Sequence, residues 1–178
     1  MIKVRKKHGG IDVIKEFNTD GFRGNVLVYQ DGELLYEYEN GFADLANEIP
    51  NTIDTRFATA SAGKAFVAVG KCCDIIRFWR ALSENKLLSK EMTETMLEKQ
   101  SGDGADPEEG WYGLGFWLID NPGGKDFAYF QGCDPGVSFI SEYNRNNGIV
   151  SVAVSNYGDN VWEIMRNIRK EFYLSRNH

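Results

Sequence analysis

Ser61 and Lys64 are the residues of this chain whose types and spacing best suit covalent chemistry. They open an apolar run, 65–69, and residues three apart share one face of a helix, so the Lys64 nitrogen can reach the Ser61 oxygen. An adjacent base is what turns a weak hydroxyl into a nucleophile. The alternative is an ordinary helix start, because serine is also a favoured N-cap.

Other catalytic and metal-binding classes have little support. The chain has two histidines, His8 and His178, both near its ends, which argues against a Ser-His-Asp triad and makes Lys64 the base if Ser61 is activated. Cys72 and Cys73 are adjacent and Cys133 stands alone, so neither a disulfide framework nor a zinc spacing is present. We therefore expect no metal and no cofactor.

Alternating and helical patterns predict the elements that hold this pair. Residues 24–31 and 33–42 read as a hairpin around Asp31-Gly32, a strong hairpin signal. Further strands are predicted at 112–119, 136–143 and 148–155, with 126–131 leading into the middle one. Helices are predicted over the first twenty residues, from Ser61 to about Ser83 with Gly70 as a weak point, over 90–100 with Ser89 as N-cap, and over 159–173 capped by Asp159.

This order of elements predicts an α/β (α+β) fold, with one antiparallel sheet flanked by helices on both faces. At 178 residues, 42% of them hydrophobic and 13% aromatic, the chain is long enough for one well-cored domain spanning 1–178. We expect the helix that begins at Ser61 on one face and the terminal helices on the other.

Several motifs resemble the serine hydrolases of the penicillin-binding protein and class C β-lactamase superfamily. Gly41-Phe42-Ala43-Asp44 follows the hairpin, and Arg56-Phe57-Ala58-Thr59-Ala60-Ser61 leads into the Ser-Ala-Gly-Lys tetrad. Segments around Tyr112-Gly113-Leu114-Gly115 and Phe130-Gln131-Gly132 look like later family segments in the same order. The resemblance covers nearly the whole chain and implies a five-stranded sheet.

The resemblance also assigns roles. It implies Ser61 as nucleophile, Lys64 as base, and the backbone N–H groups of Ser61 and Cys133 as the oxyanion hole. Gln131 and Gly132 align with the substrate-binding strand motif K-T-G or H-x-G, whose cationic first position is Phe130 here, which we interpret as a core residue. Tyr143 and Tyr157 are conceivable replacements for the family's catalytic tyrosine.

The chain departs from the family at one junction. In relatives the nucleophile helix is followed by a helical subdomain that carries a Y-x-N or Y-x-S motif, yet no tyrosine occurs here between Tyr38 and Tyr112. A deletion near 70–74 would explain this. We expect acyl transfer on ester, amide or peptidoglycan-like substrates, weak or absent; the alternatives are a non-catalytic remnant acting by binding or self-association and an unrelated interaction module.

Charge and hydropathy limit the partners. A net charge of −6 and a pI near 5.0 argue against a nucleic-acid surface. No apolar run reaches the length of a membrane span, and no signal peptide is recognisable, so we expect a soluble chain, cytoplasmic by default. Loss of a covering subdomain predicts a homo-oligomer, and a helix that runs past Cys73 would allow a domain-swapped form of it.

Overall fold

A computed structural model describes the backbone of residues 3–5, 21–58, 71–101, 110–121 and 125–173. The strands are β1 Lys3–Arg5, β2 Gly24–Gln30, β3 Glu33–Asn40, β4 Phe42–Asp44, β5 Ile49–Pro50, β6 Trp111–Tyr112, β7 Trp117–Asn121, β8 Lys125–Asp134, β9 Val137–Asn144 and β10 Ile149–Ser155. The helices are α1 Cys72–Ser83, α2 Lys90–Met96 and α3 Val161–Ile168, which continues as a π-helical turn, Arg169–Tyr173.

Eight strands form the main sheet in the order β1-β3-β2-β10-β9-β8-β7-β6, and β4 and β5 pair separately. Each neighbouring pair in the main sheet is antiparallel. The predicted antiparallel α+β fold is therefore confirmed.

Side chains alternate between the two faces of the sheet. On β10, Val150, Val152 and Val154 belong to the core under α1, whereas Ile149 and Ala153 belong to the core under α3. The core-facing residues of α1 are Cys72, Ile76, Trp79 and Leu82, spaced as one helical face. Those of α3 are Val161, Ile164, Met165 and Ile168. We refer to these two sides as the α1 face and the α3 face.

Local chemistry explains the hairpins. Asp31 and Gly32 have φ of 51° and 82°, the pair of positive values that a two-residue turn of type I′ requires. The link between β8 and β9 is Pro135-Gly136, with Gly136 at φ 80°, the pattern of a type II turn. The predicted β2–β3 hairpin is confirmed.

The strand count differs from the predicted five. The long strands β2, β3, β8, β9 and β10 are the central five, and three short strands extend both edges. The single strand predicted at 112–119 is divided, because the Gly113 N–H donates to the Phe116 carbonyl and closes a turn between β6 and β7. The segment 126–131, expected only to lead into the strand at 136–143, is part of a ten-residue strand of its own, β8.

Two helix predictions are wrong in part. Lys3–Arg5 form a strand on the outer edge of β3 instead of a helix, where they pair with Glu37–Glu39 and cover otherwise unpaired backbone groups. Lys71 is extended, with φ −83° and ψ 153°, so no helix runs continuously through the junction into α1. The domain-swap hypothesis loses the uninterrupted helix on which it rested.

The caps of the later helices were predicted with mixed success. The Ser89 hydroxyl accepts the Met92 N–H at 3.2 Å and caps α2 as expected. At α3 the cap is Asn160, which accepts the Glu163 N–H, instead of Asp159. Asp159 is held elsewhere because its carboxylate binds the guanidinium of Arg23. Among the described helices, none has the length and apolar character needed to cross a bilayer.

Candidate active site

Ser61 and Lys64 lie in 59–70, outside the described residues, so their mutual distance and their distance to Cys133 are not part of the structure. Both flanks of this segment are fixed on the α1 face, where Phe57 is 3% exposed and Cys72 2% exposed. An ion pair of 2.7 Å between the Lys71 ammonium and the Asp54 carboxylate joins the flanks. This pairing raises the pKa of Lys71 and lowers that of Asp54. The described residues on either side of 59–70 thus both lie on the α1 face.

One half of β8 has a strand on one side only. β9 pairs with β8 as far as Asp134, but β7 stops at the pair Trp117–Tyr129. Among the described residues, no strand borders 130–134 on the side away from β9. We call this stretch, which no described strand borders on its outer side, the open edge of β8; an edge of this kind is one to which an extended chain can add as a further strand.

The turn fixes which backbone groups point outward along the open edge. The two-residue turn makes Asp134 and Val137 a hydrogen-bonded pair. Hydrogen-bonded and non-hydrogen-bonded pairs alternate along an antiparallel ladder, so the backbone N–H and C=O groups of Gln131 and Cys133 point away from β9. The amide that the family resemblance assigns to the oxyanion hole is therefore turned toward the open edge.

The side chains of the same stretch divide between the two faces. Phe130 is 4% exposed in the α1-face core, and Gly132 follows on that face without a side chain. The Gln131 side-chain carbonyl accepts a hydrogen bond from the Trp162 indole, on the α3 face. Gln131 therefore presents its backbone, and not its side chain, to the open edge.

Phe130 occupies the centre of an aromatic cluster. Its ring centroid lies 5.4 Å from Trp79, 5.6 Å from Phe139, 6.0 Å from Phe116 and 6.3 Å from Phe78. The interpretation of Phe130 as a core residue is confirmed. The position that carries a cation in the family motif has no charge here.

Tyr143 and Tyr157 were the candidates to replace the family's catalytic tyrosine. Their described contacts place neither hydroxyl for catalysis. Tyr143 stacks on Trp79 at 5.7 Å and pairs with Ala128, five residues before Cys133, which is about 17 Å along the strand. The Tyr157 hydroxyl accepts the backbone N–H of Phe42 at 3.0 Å, and its ring lies under the Arg23 guanidinium. Tyr157 is at the same end of the sheet as Cys133, since the next residue, Gly158, packs against Gly136.

Acidic and thiol groups add little to the site. Asp134 is exposed and ends β8 at the turn. The Cys133 thiol is free and exposed, whereas burial raises the pKa of the Cys72 thiol far above its usual value. Within the described part of the chain, no three His, Cys, Asp or Glu residues are grouped so that they could hold a metal ion.

The sequence reasoning missed an apolar cavity of about 260 Å³ beside the aromatic cluster. Its walls are Phe78 and Leu82 of α1, Leu87 and Leu88 between α1 and α2, Met96 of α2, and Gly115 and Phe116 before β7. These residues come from three separate segments, so no spacing along the chain connects them. The only signal available was the apolar character of each segment taken alone.

Comparison with known proteins locates the resemblance in the first part of the chain. Residues 12–70 match the sequence model of the family described as Beta-lactamase. The chain resembles the β-lactamase superfamily. The matched segment of this β-lactamase-like chain includes the hairpin, Gly41-Phe42-Ala43-Asp44 and the Ser-Ala-Gly-Lys tetrad. It supports a serine-hydrolase-like family.

Solved structures superpose on part of the β-lactamase-like chain. A penicillin-binding protein from Bacillus halodurans is 25% identical over 57% of this chain and 31% of its own, with a TM-score of 0.49. A D-amino acid amidase from Ochrobactrum anthropi SV3 is 19% identical over 60% and 34%, also with a TM-score of 0.49. The matched region thus spans about a third of each of these proteins, too little to carry an argument about activity. No curated protein sequence matches the chain.

Proposed function

We propose that this chain is a serine hydrolase core that transfers an acyl group through Ser61, with weak or absent turnover. The observation that carries the proposal is the open edge of β8, whose Cys133 amide points away from β9. The segment with Ser61 and Lys64 is tied at Phe57 and Cys72 to the face toward which Phe130 points. A carbonyl lying along the edge would have a backbone donor at Cys133 and a nucleophile approaching from the α1 face.

The chemistry balances with the residues present. The Ser61 oxygen bonds to the carbonyl carbon of an ester or amide while neutral Lys64 takes its proton. The amides of Ser61 and Cys133 hold the oxyanion until the alcohol or amine leaves with the proton from Lys64. Water then attacks the acyl-serine, and the acid departs as Ser61 recovers its proton.

The second half of this cycle is the weaker one. The catalytic tyrosine has no counterpart among the predicted site residues, and Phe130 replaces the cationic position of the strand motif. Acid–base assistance contributes about 10²- to 10⁴-fold in rate, so its loss leaves hydrolysis of the acyl-serine slow. Lys64 is a base only when neutral, and a hydrated ammonium at neutral pH would limit acylation as well.

Intact mass after exposure to a fluorophosphonate tests the proposal. We expect one adduct on Ser61, formed faster as pH rises because Lys64 must lose its proton. The adduct should be absent in Ser61→Ala and form far more slowly in Lys64→Met, while Ser83→Ala, at an exposed helix end, labels like the parent. No adduct at high pH and long exposure, or equal labelling of Ser61→Ala, would refute the proposal.

A non-catalytic role by self-association is the second candidate, because the open edge of β8 could pair with another copy. Sedimentation velocity of the parent and of Gln131→Pro decides this, because proline removes an outward N–H without breaking the bonds to β9. A dimer in the parent that dissociates in Gln131→Pro supports this role, and a monomer at tens of micromolar excludes it.

A further inference from the structure

We propose that a second cavity, where the β2–β3 and β9–β10 turns meet α1, is a binding site for a small zwitterion that carries a carboxylate, an amine and an apolar body. The cavity has a volume of about 320 Å³. One of its walls is Tyr143, which pairs with Ala128, about 17 Å along the strand from Cys133. The site therefore lies toward the other end of the sheet from the open edge of β8, and binding there requires no reaction at Ser61.

Three neighbouring strands form the base of the cavity. Val150 of β10 pairs with Tyr29 of β2 on one side and with Tyr143 of β9 on the other. Val150 belongs to the α1-face core, and both tyrosines pack against that core. Adjacent strands are about 4.8 Å apart, so the Cα atoms of the two tyrosines are about 10 Å apart. Ile76 of α1 adds a second aliphatic side chain to the lining. The base can therefore receive an apolar body between two aromatic residues.

A cation and an anion line the exposed part of the cavity, and two glycines leave room for them. A Cβ on Gly32 would lie 3.1 Å from Nη1 of Arg80, and a Cβ on Gly148 would lie 3.1 Å from Oδ1 of Asp31. Nε of Arg80 donates to the Glu84 carboxylate at 2.8 Å, which orients the guanidinium. The guanidinium thus lies against the β2–β3 turn, and the Asp31 carboxylate lies against the β9–β10 turn.

The polar groups of the lining have hydrogen-bonding capacity left for a ligand. Among the described residues, none forms a hydrogen bond with the Nη atoms of Arg80 or with the Asp31 carboxylate. The same is true of the Tyr29 and Tyr143 hydroxyls within the described part of the chain. The two Nη atoms of a guanidinium can donate side by side to one carboxylate, and a carboxylate accepts from an ammonium.

The two opposite charges select the class of ligand. A zwitterion offers a carboxylate to Arg80 and an ammonium to Asp31, whereas a simple anion would be repelled by Asp31 and a simple amine by Arg80. The volume of about 320 Å³ is at the lower end of the range for small-molecule sites, which suits a compound the size of a single amino acid.

Methyl NMR of the protein labelled at isoleucine δ1 carbons tests the site with three probes of one shape. Leucine carries both charges, 4-methylpentanoate lacks the amine and 3-methylbutylamine lacks the carboxylate. Leucine should shift the Ile76 methyl in a saturable way and leave Ile164, buried on the α3 face, unchanged. Each analogue should bind at least about tenfold more weakly, because it loses a charged hydrogen bond. No saturable Ile76 shift with leucine, or equal affinities for leucine and both analogues, would overturn the proposal.

Two pairs of variants assign the charges. Asp31→Asn keeps a residue that tolerates the positive φ of the turn and should remove the preference for leucine over 4-methylpentanoate. Asp134→Asn, the same change at the exposed β8–β9 turn, should keep it. Arg80→Gln should remove the preference for leucine over 3-methylbutylamine, whereas Arg77→Gln, at an exposed arginine of the same helix, should keep it. Parent-like preferences in Asp31→Asn or in Arg80→Gln would contradict the assigned contacts.

Discussion

The α1 face and the α3 face cover the same sheet in different ways. The α3 face is closed by a helix whose buried side chains fill it, and it contains a buried ion pair between Glu142 and Arg169. The α1 face is built on aromatic rings around Trp79 and retains a cavity of about 260 Å³. Phe57 and Cys72, which flank residues 59–70, lie in the core of this second face. The difference shows that the two faces are filled by different means, one by a helix and a buried ion pair and the other by aromatic rings that leave a cavity.

The largest expected effect comes from removing Arg169, the charge partner of Glu142 on the α3 face. Glu142 is fully buried, and both of its oxygens accept hydrogen bonds from Arg169, whose guanidinium also lies 5.4 Å from the Phe127 ring. Arg169→Met would leave a buried carboxylate without its partner, so we expect a loss of about 3–5 kcal/mol in the free energy of unfolding, measured by urea denaturation.

Two controls distinguish the lost charge partner from lost packing. The double variant Glu142→Leu/Arg169→Met should recover most of the stability, since no uncompensated charge remains. Arg77→Met, which removes an exposed pair with Asp74, should change the unfolding free energy by less than about 1 kcal/mol. Equal losses in Arg169→Met and the double variant would contradict the assignment.

The second test compares one substitution on both faces. Trp79 is fully buried and its indole N–H donates to the Ser141 hydroxyl at 2.9 Å, so Trp79→Phe loses a buried hydrogen bond and ring volume. We expect a loss of about 1–3 kcal/mol by thermal or urea unfolding. The matched variant Trp162→Phe, whose half-buried indole N–H donates to Gln131, should cost less than 1 kcal/mol on the same scale. A larger loss in Trp162→Phe would reverse the ranking of the two tryptophans.

The smallest expected effect concerns the junction between the sheet and α3. Asp159 accepts hydrogen bonds from the Arg23 backbone N–H and guanidinium. Partial burial raises the pKa of Asp159, but the hydrogen bonds and charge of Arg23 outweigh it, so the pKa lies below its usual value. The Arg23 side chain is 46% exposed, and we therefore expect Asp159→Asn to cost only about 1 kcal/mol.

The sign of the pH dependence follows from the lowered pKa. The contribution of Asp159 is present above its unfolded pKa of about 3.9 and is lost as pH falls through the lower folded value. The stability difference between parent and Asp159→Asn, measured by urea unfolding from pH 7 to pH 2, should shrink at the acid end. A difference that grows on acidification would contradict the assigned pair.

Local patterns were sufficient to predict much of this fold. Asp31-Gly32 predicted its hairpin because the turn needs two residues that tolerate positive φ, and Ser89 predicted its helix start because a hydroxyl satisfies an open N–H. Lys3–Arg5 could not be predicted as a strand, because their pairing depends on the distant edge of β3. The extended Lys71 was missed for a similar reason, since its ammonium binds Asp54, seventeen positions earlier.

The candidate site was predicted less completely than the fold. The apolar side chain of Phe130 correctly predicted a core residue at the position where the family motif has a cation. The directions in which the backbone and side-chain groups of Gln131 point depend instead on the register fixed by the β8–β9 turn. For the cavity the sequence contained only the apolar character of separate segments, because its walls meet only after α1, α2 and the β6–β7 turn pack together. Properties that depend on long-range register or on packing between segments lie beyond motif reading.

The central claim is that the open edge of β8 supplies a backbone donor to an acylation site, and two substitutions at Cys133 test it most directly. Cys133→Pro removes the outward N–H without a ladder bond to β9, whereas Cys133→Ala removes only the exposed thiol. With both variants shown to be folded, the rate of Ser61 labelling by a fluorophosphonate should fall about 10²- to 10³-fold in Cys133→Pro and remain at the parent value in Cys133→Ala. Equal labelling rates in the two variants would contradict the claim.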